Sequence, residues 1–171
     1  DAAEAAEAWV YALERKDGPT GLVLSRQKMP TMDRAVMAPA SGLHQGAYVL
    51  AEATGGAPKV ILLGTGSELQ LAVKAREQLE KDGIPTRVVS MPCMERFRAQ
   101  PKAYQEQVLP KAVTARVSIE AGVTMGWERF VGDRGIAIGV DRYGASAPDK
   151  IIYEQYGLTS AKVVEAAKSL L

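Results

Sequence analysis

Arg26 stands in Ser25-Arg26-Gln27, directly after the apolar run Gly21-Leu22-Val23-Leu24-Ser25. Such a run reads as a buried parallel strand. The carboxyl end of a parallel strand is where open α/β sheets bind their ligands. A guanidinium there has the planar fork that grips a phosphate or carboxylate. Position alone is not specific, so a surface or interdomain salt bridge is the competing reading of Arg26. Gly64-Thr65-Gly66-Ser67 lies between an apolar run and a helical pattern. Doubly wound folds set phosphates at such a place, against the amides of a helix N-terminus. That makes Gly64, Thr65, Gly66 and Ser67 a candidate anion site. No third glycine completes a dinucleotide fingerprint and no lysine completes a P-loop. A tight turn with a capped helix is the plainer reading.

The remaining reactive side chains form no obvious pairings. His44 is the sole histidine and lies in a glycine-punctuated stretch with no carboxylate beside it in sequence. It reads as an exposed linker residue. Cys93 follows Ser90-Met91-Pro92 and opens a helical pattern. A helix N-terminus lowers a thiol pKa, yet no histidine is paired with it to act as base. Cys93 therefore reads as a small, partly buried residue. Glu120 and Asp141 each follow an apolar run, as strand-end site residues would. Neither has a second acid nearby in sequence, and turn or capping polarity is the favoured reading. Trp127, Phe130 and Val131 read as core.

These residues need elements to position them. Residues 2–15 predict a helix rich in alanine, with Ala5, Ala8, Trp9, Ala12 and Leu13 as its apolar face. Asp17-Gly18-Pro19 stops it. Residues 27–45 lose all periodicity and read as a long connection. Strands are expected at 47–51, 60–63, 87–90, 116–119 and 136–140. Helices are expected from Ser67 to about Lys81, at 94–108, 124–131, 148–156 and 160–170. Ser67 and Gln70 have capping-box spacing, as do Ser146 and Asp149. Glu77 and Lys81 have the spacing of a favourable pair. Alternating strands and helices predict an α/β fold: a mostly parallel five-stranded sheet, helices on both faces, with residues 46–54 as one antiparallel edge strand.

Composition narrows the function classes. The 171 residues carry 21 Lys+Arg against 20 Asp+Glu, a net charge of +1 that gives no bulk attraction for nucleic acid or an anionic membrane. One cysteine and one histidine exclude an internal disulfide and argue against a Cys- or His-rich metal site. No apolar run reaches the roughly 18 residues of a bilayer span. No basic-then-apolar leader opens the chain, so the expected compartment is the cytoplasm. The chain begins at Asp1 inside a helix-forming pattern, which suggests a piece of something longer.

Several segments occur together in a telling order. They are Gly18-Pro19-Thr20 with Leu24-Ser25-Arg26-Gln27, then Gly46-Ala47-Tyr48-Val49-Leu50, then Gly64-Thr65-Gly66-Ser67-Glu68. Arg87 to Pro92, Val108-Leu109-Pro110, Ile119 to Gly122, Trp127 and Tyr143 to Pro148 follow. This order resembles the final part of transketolase along essentially the whole chain.

The resemblance implies a homodimeric parent enzyme that uses thiamine diphosphate and a divalent metal, Mg or Ca. That enzyme moves a two-carbon ketol unit between sugar phosphates. By similarity, residues 1–27 are the last helix and strand of the pyrimidine-binding domain, 28–45 a linker, and 46–171 the C-terminal domain. The resemblance carries one substrate contact to this chain, Arg26 on the sugar phosphate. The cofactor-activating glutamate, metal ligands and active-site histidines of the family match nothing here. The chain alone is therefore expected to bind no cofactor and to be inactive. The alternative is a non-catalytic dimerisation or regulatory module of a related thiamine-diphosphate enzyme, with Gly64–Ser67 as its anion site. An independent nucleotide-dependent enzyme rests on topology alone, and fold does not imply function.

Overall fold

The computed structural model describes residues 1–171. Helix α1 spans Ala2–Glu14 and is followed by irregular chain and a 3-10 helix at Ala40–Gln45. Then come β1 (Tyr48–Ala51), β2 (Val60–Gly64), α2 (Leu69–Lys81), β3 (Thr86–Ser90), α3 (Met94–Arg98) and α4 (Lys102–Val108). The chain ends with β4 (Arg116–Ile119), α5 (Glu128–Val131), β5 (Ile136–Ile138), α6 (Asp149–Gln155) and α7 (Ser160–Ser169). The five strands form one sheet in the order β1-β3-β2-β4-β5. All pairings are parallel except β1 on β3, which is antiparallel and carries a bulge between Val49 and Ala51. The expected sheet and its antiparallel edge strand are thus present.

The central strand β2 is apolar throughout, and β3 and β4 bury apolar residues on both sides, because helices cover both faces of the sheet. Val60, Leu62, Val88, Val117 and Ile119 point to one side, against α2 and α7. Ile61, Leu63 and Val89 point to the other, against Phe97, Val108, Trp127 and Phe130. Each fully buried Leu or Ile of this kind contributes about 1.5–3 kcal/mol over leaving it exposed. Gly46 is held at φ +85°, and a side chain there would strike the backbone nitrogen of Phe97 at 2.3 Å. Only glycine allows the chain to enter β1 so close to α3.

Several local expectations are corrected. Residues 21–25 form no strand, and Val23 is 100% exposed. The sheet ends at β1 and β5, so this run finds no neighbour for its backbone groups. The 94–108 helix is split into α3 and α4, with Pro101 at the N-cap of the second. The 124–131 helix shrinks to α5, because residues 121–127 are drawn into loop contacts. Ser67 does not cap α2. Gly66–Glu68 is a 3-10 turn and α2 begins at Leu69. Ser146 does not cap α6 either, since its N-cap is Pro148. Glu77 and Lys81 make no ion pair, whereas the neighbouring Asp82 reaches Lys168 of α7 at 2.7 Å.

Candidate functional site

Parallel pairing brings the carboxyl ends of β2, β3, β4 and β5 to a single edge of the sheet. The chain runs from β2 to β3 on one side of β2, then crosses to β4 on the other. The crevice between the ends of β2 and β4 is therefore the topological switch point, where open α/β sheets place ligands. In this chain Glu68 fills it. Its buried carboxylate accepts from the Ser67 hydroxyl (2.5 Å), the Tyr153 hydroxyl (2.5 Å) and the Ala121 N–H (2.8 Å). Burial and the adjacent Glu68 push the Tyr153 phenol up to about 12. Charge-assisted bonds of this kind are the strong ones. An anion entering at Gly64, Thr65, Gly66 and Ser67 would meet a carboxylate that already holds the Ser67 hydroxyl. Nearby, Glu120 accepts from the indole N–H of the buried Trp127 at 2.7 Å.

The second polar cluster joins α1 to the same edge. Asp1 caps α1 and forms a capping box with Glu4. The buried Glu4 carboxylate accepts from Tyr48 (2.7 Å) at the start of β1 and from Ser90 (2.6 Å) at the end of β3. Burial, reinforced by Glu4, raises the Tyr48 phenol well above its ordinary range. Arg34 donates to the Asp1 carboxylate and to the Tyr48 oxygen. One turn on, His44 Nε2 lies 2.7 Å from Glu7. This corrects the linker reading of His44: its carboxylate partner comes from 37 residues away. Arg96 donates to the Tyr11 hydroxyl and to the His44 carbonyl, and its guanidinium lies 4.3 Å from the Tyr11 ring centroid.

These bonds rotate α1 from the expected orientation. Glu4, Glu7 and Tyr11 turn inward beside the half-buried Ala5, Ala8 and Ala12, while Trp9 and Leu13 of the expected apolar face are exposed, as is Val10. The signal was present as the 3- and 4-residue spacing of those three polar residues, which matches a helix face as well as the alanines do. Glu68 and Tyr153 carried no comparable signal, because nothing in their local sequence links residues 85 apart.

Arg26 lies exposed on the irregular segment after α1 and takes part in none of the chain's ion pairs. Cys93 is half-buried at the N-cap of α3, with its thiol 3.7 Å from Glu95. Asp141 accepts from the N–H and hydroxyl of Thr124, which hold its carboxyl below the usual range. Glu120, Asp141, Trp127, Phe130 and Val131 thus take the turn and core roles expected of them. Arg87 and Arg116, not singled out by sequence, donate to the carbonyls that end α4. No three His, Cys, Asp or Glu side chains are grouped to hold a metal ion. No helix is long and apolar enough to cross a membrane.

Comparison with known proteins decides the family. Residues 46–159 match the family model described as the transketolase-like C-terminal domain. The chain belongs to the transketolase family. A transketolase from Geobacillus stearothermophilus is 51% identical over 171 residues, covering 100% of this chain and 26% of that protein. A solved transketolase from Leishmania mexicana superposes with a TM-score of 0.90 at 36% identity, covering 99% of this chain and 24% of that one. A Pichia stipitis transketolase in complex with sedoheptulose-7-phosphate gives a TM-score of 0.87 at 32% identity, again over 99% and 24%. The chain spans about a quarter of the length of the relatives it matches. The chain corresponds to the C-terminal part of these enzymes.

Proposed function

We propose that the chain works as the C-terminal portion of an enzyme that transfers a two-carbon ketol unit between sugar phosphates. In this reading residues 1–27 complete the preceding, pyrimidine-binding domain, 28–45 connect, and 46–171 form the C-terminal domain. The parent acts as a homodimer in the cytoplasm, with thiamine diphosphate and a divalent metal held outside this chain. The similarity along all 171 residues to enzymes named transketolase is the observation that carries the reading. The outward apolar face of α1 and the uncovered Val23 and Leu24 also support it. They are what a helix and a strand look like without the rest of their sheet.

Arg26 is the residue of this chain that touches substrate, with its guanidinium forked onto the sugar phosphate. Its exposure here leaves it available for that role. No acid–base or nucleophilic pair accompanies it, so the isolated chain is inactive. Ketol transfer by the 171-residue chain, assayed with thiamine diphosphate and Mg²⁺, would overturn that part.

The test of the site is Arg26→Ala in the parent enzyme. Losing a charge-assisted contact costs about 1.5–3 kcal/mol. KM for phosphorylated substrates is expected to rise by that equivalent, roughly 10- to 150-fold. KM for unphosphorylated sugars stays nearly unchanged. Equal effects on both classes remove the phosphate role.

A further inference from the structure

Donors from three separate elements converge on one point in the crevice between β2 and β4. The Ser67 hydroxyl comes from the turn after β2, the Ala121 N–H from the loop after β4, and the Tyr153 hydroxyl from α6. They divide one carboxylate between them: Oε1 of Glu68 accepts both hydroxyls and Oε2 accepts the amide. The two hydroxyls lie 3.2 Å from each other. Glu68 is 3% exposed and takes part in none of the chain's ion pairs. A buried charge in that position depends on its hydrogen bonds being complete. Neutral donors fixed on both oxygens of a planar anion are the makings of a carboxylate site. With no cation bonded to it, the set suits one negative charge and not the doubly charged phosphate. Ala121 is exposed and Tyr153 half-buried, so two of the three donors border solvent.

We infer that the switch point is a monocarboxylate-binding site whose ligand is built in: the side chain of Glu68 stands where a free carboxylate would sit and excludes one while it is in place. This counts against a regulatory anion site at Gly64–Ser67, because the Ser67 hydroxyl is already given to Glu68. It is independent of the ketol-transfer reading, since the site shares no residue with Arg26. Beyond its β carbon Glu68 is one methylene and a carboxylate, the size of acetate. Replacing Glu68 with alanine thus vacates an acetate-shaped space and leaves the three donors unmet. Buried donors without acceptors are costly, which drives capture of a small carboxylate from solution. Donors held in place by the fold lower the cost of that capture.

The experiment uses the full-length parent enzyme with Glu68→Ala, in sodium acetate, phosphate or chloride at equal ionic strength. Hydrogen exchange is followed in the peptides that contain Ala121. A dissociation constant of about 10 mM is within reach of a ligand of about four heavy atoms. At about 100 mM acetate the variant is then expected to gain roughly tenfold protection over chloride. The wild type is expected to show no gain, because its own carboxylate holds the site. Adding Tyr153→Phe is expected to weaken acetate binding by at least about tenfold. Phosphate is expected to act like chloride. Acetate protection of equal size in the wild type overturns the inference, and so does a folded Glu68→Ala enzyme indifferent to acetate. Phosphate protecting as well as acetate overturns the assignment of a monocarboxylate. If the variant does not fold in chloride, refolding in acetate alone supports the inference, and refolding in neither medium overturns it.

Discussion

Helix α7 lays Val163, Ala166 and Ala167 on the sheet and leaves its charges in solvent. Helix α1 differs: it sets Glu4 on the sheet edge, Glu7 on the 3-10 helix and Tyr11 on α3, and leaves Trp9, Val10 and Leu13 outside. Both helices are amphipathic, so pattern strength does not separate them. Under the proposed domain division, what separates them is ownership. α7 closes the core of the domain that contains it, where apolar burial dominates. α1 meets that domain across an interface of hydrogen bonds and ion pairs, the chemistry typical of contacts between domains. Buried carboxylates on the inward side and Trp9, Val10 and Leu13 left bare are what that division leads one to expect of α1.

The comparison can be broken by experiment. The largest effect is expected for Leu79→Ala in α2, a fully buried residue of the core that α7 closes. It should cost about 2–5 kcal/mol of global stability in urea unfolding, through lost burial and the cavity left behind. A smaller, local effect is expected for Glu4→Ala. The Tyr48 and Ser90 hydroxyls lose their acceptor, at about 1–3 kcal/mol. Hydrogen exchange should show α1 losing protection while α7 keeps it; equal loss in both would erase the distinction between the helices. The smallest effect is expected for Trp9→Ser. In this chain it should shift stability within about 0.5 kcal/mol, as exposed substitutions do. A larger loss would mean that the outer face of α1 already has a partner within these residues.

Much of the sheet was legible from sequence because its strands depend on local pattern. Val60 to Leu63 is apolar at every position and is buried on both faces. Tyr48–Ala51 was readable as the antiparallel edge from its place ahead of the first crossover. The run at 21–25 has an equally good pattern and forms nothing, since a strand also needs a neighbour. The same division runs through the polar residues. Asp141 and Glu120 were readable as turn residues because their partners, Thr124 and Trp127, lie within 17 and 7 positions. His44 and Glu68 were not, because Glu7 and Tyr153 reach them only through the tertiary fold. Arg26 stands out in the sequence through its motif, and its role stays with the substitution test.

The Glu68 clasp also orders events in time. Its carboxylate lies ahead of the midpoint of these residues, and one of its donors, Tyr153, is 85 residues downstream. At about 5–20 residues per second, the ribosome delivers that donor roughly 4–17 s after Glu68. Until then Glu68 lacks the Tyr153 hydrogen bond, and burying its charge is correspondingly expensive. The switch point therefore closes late, when α6 brings Tyr153, and the growing domain stays open at its centre until then.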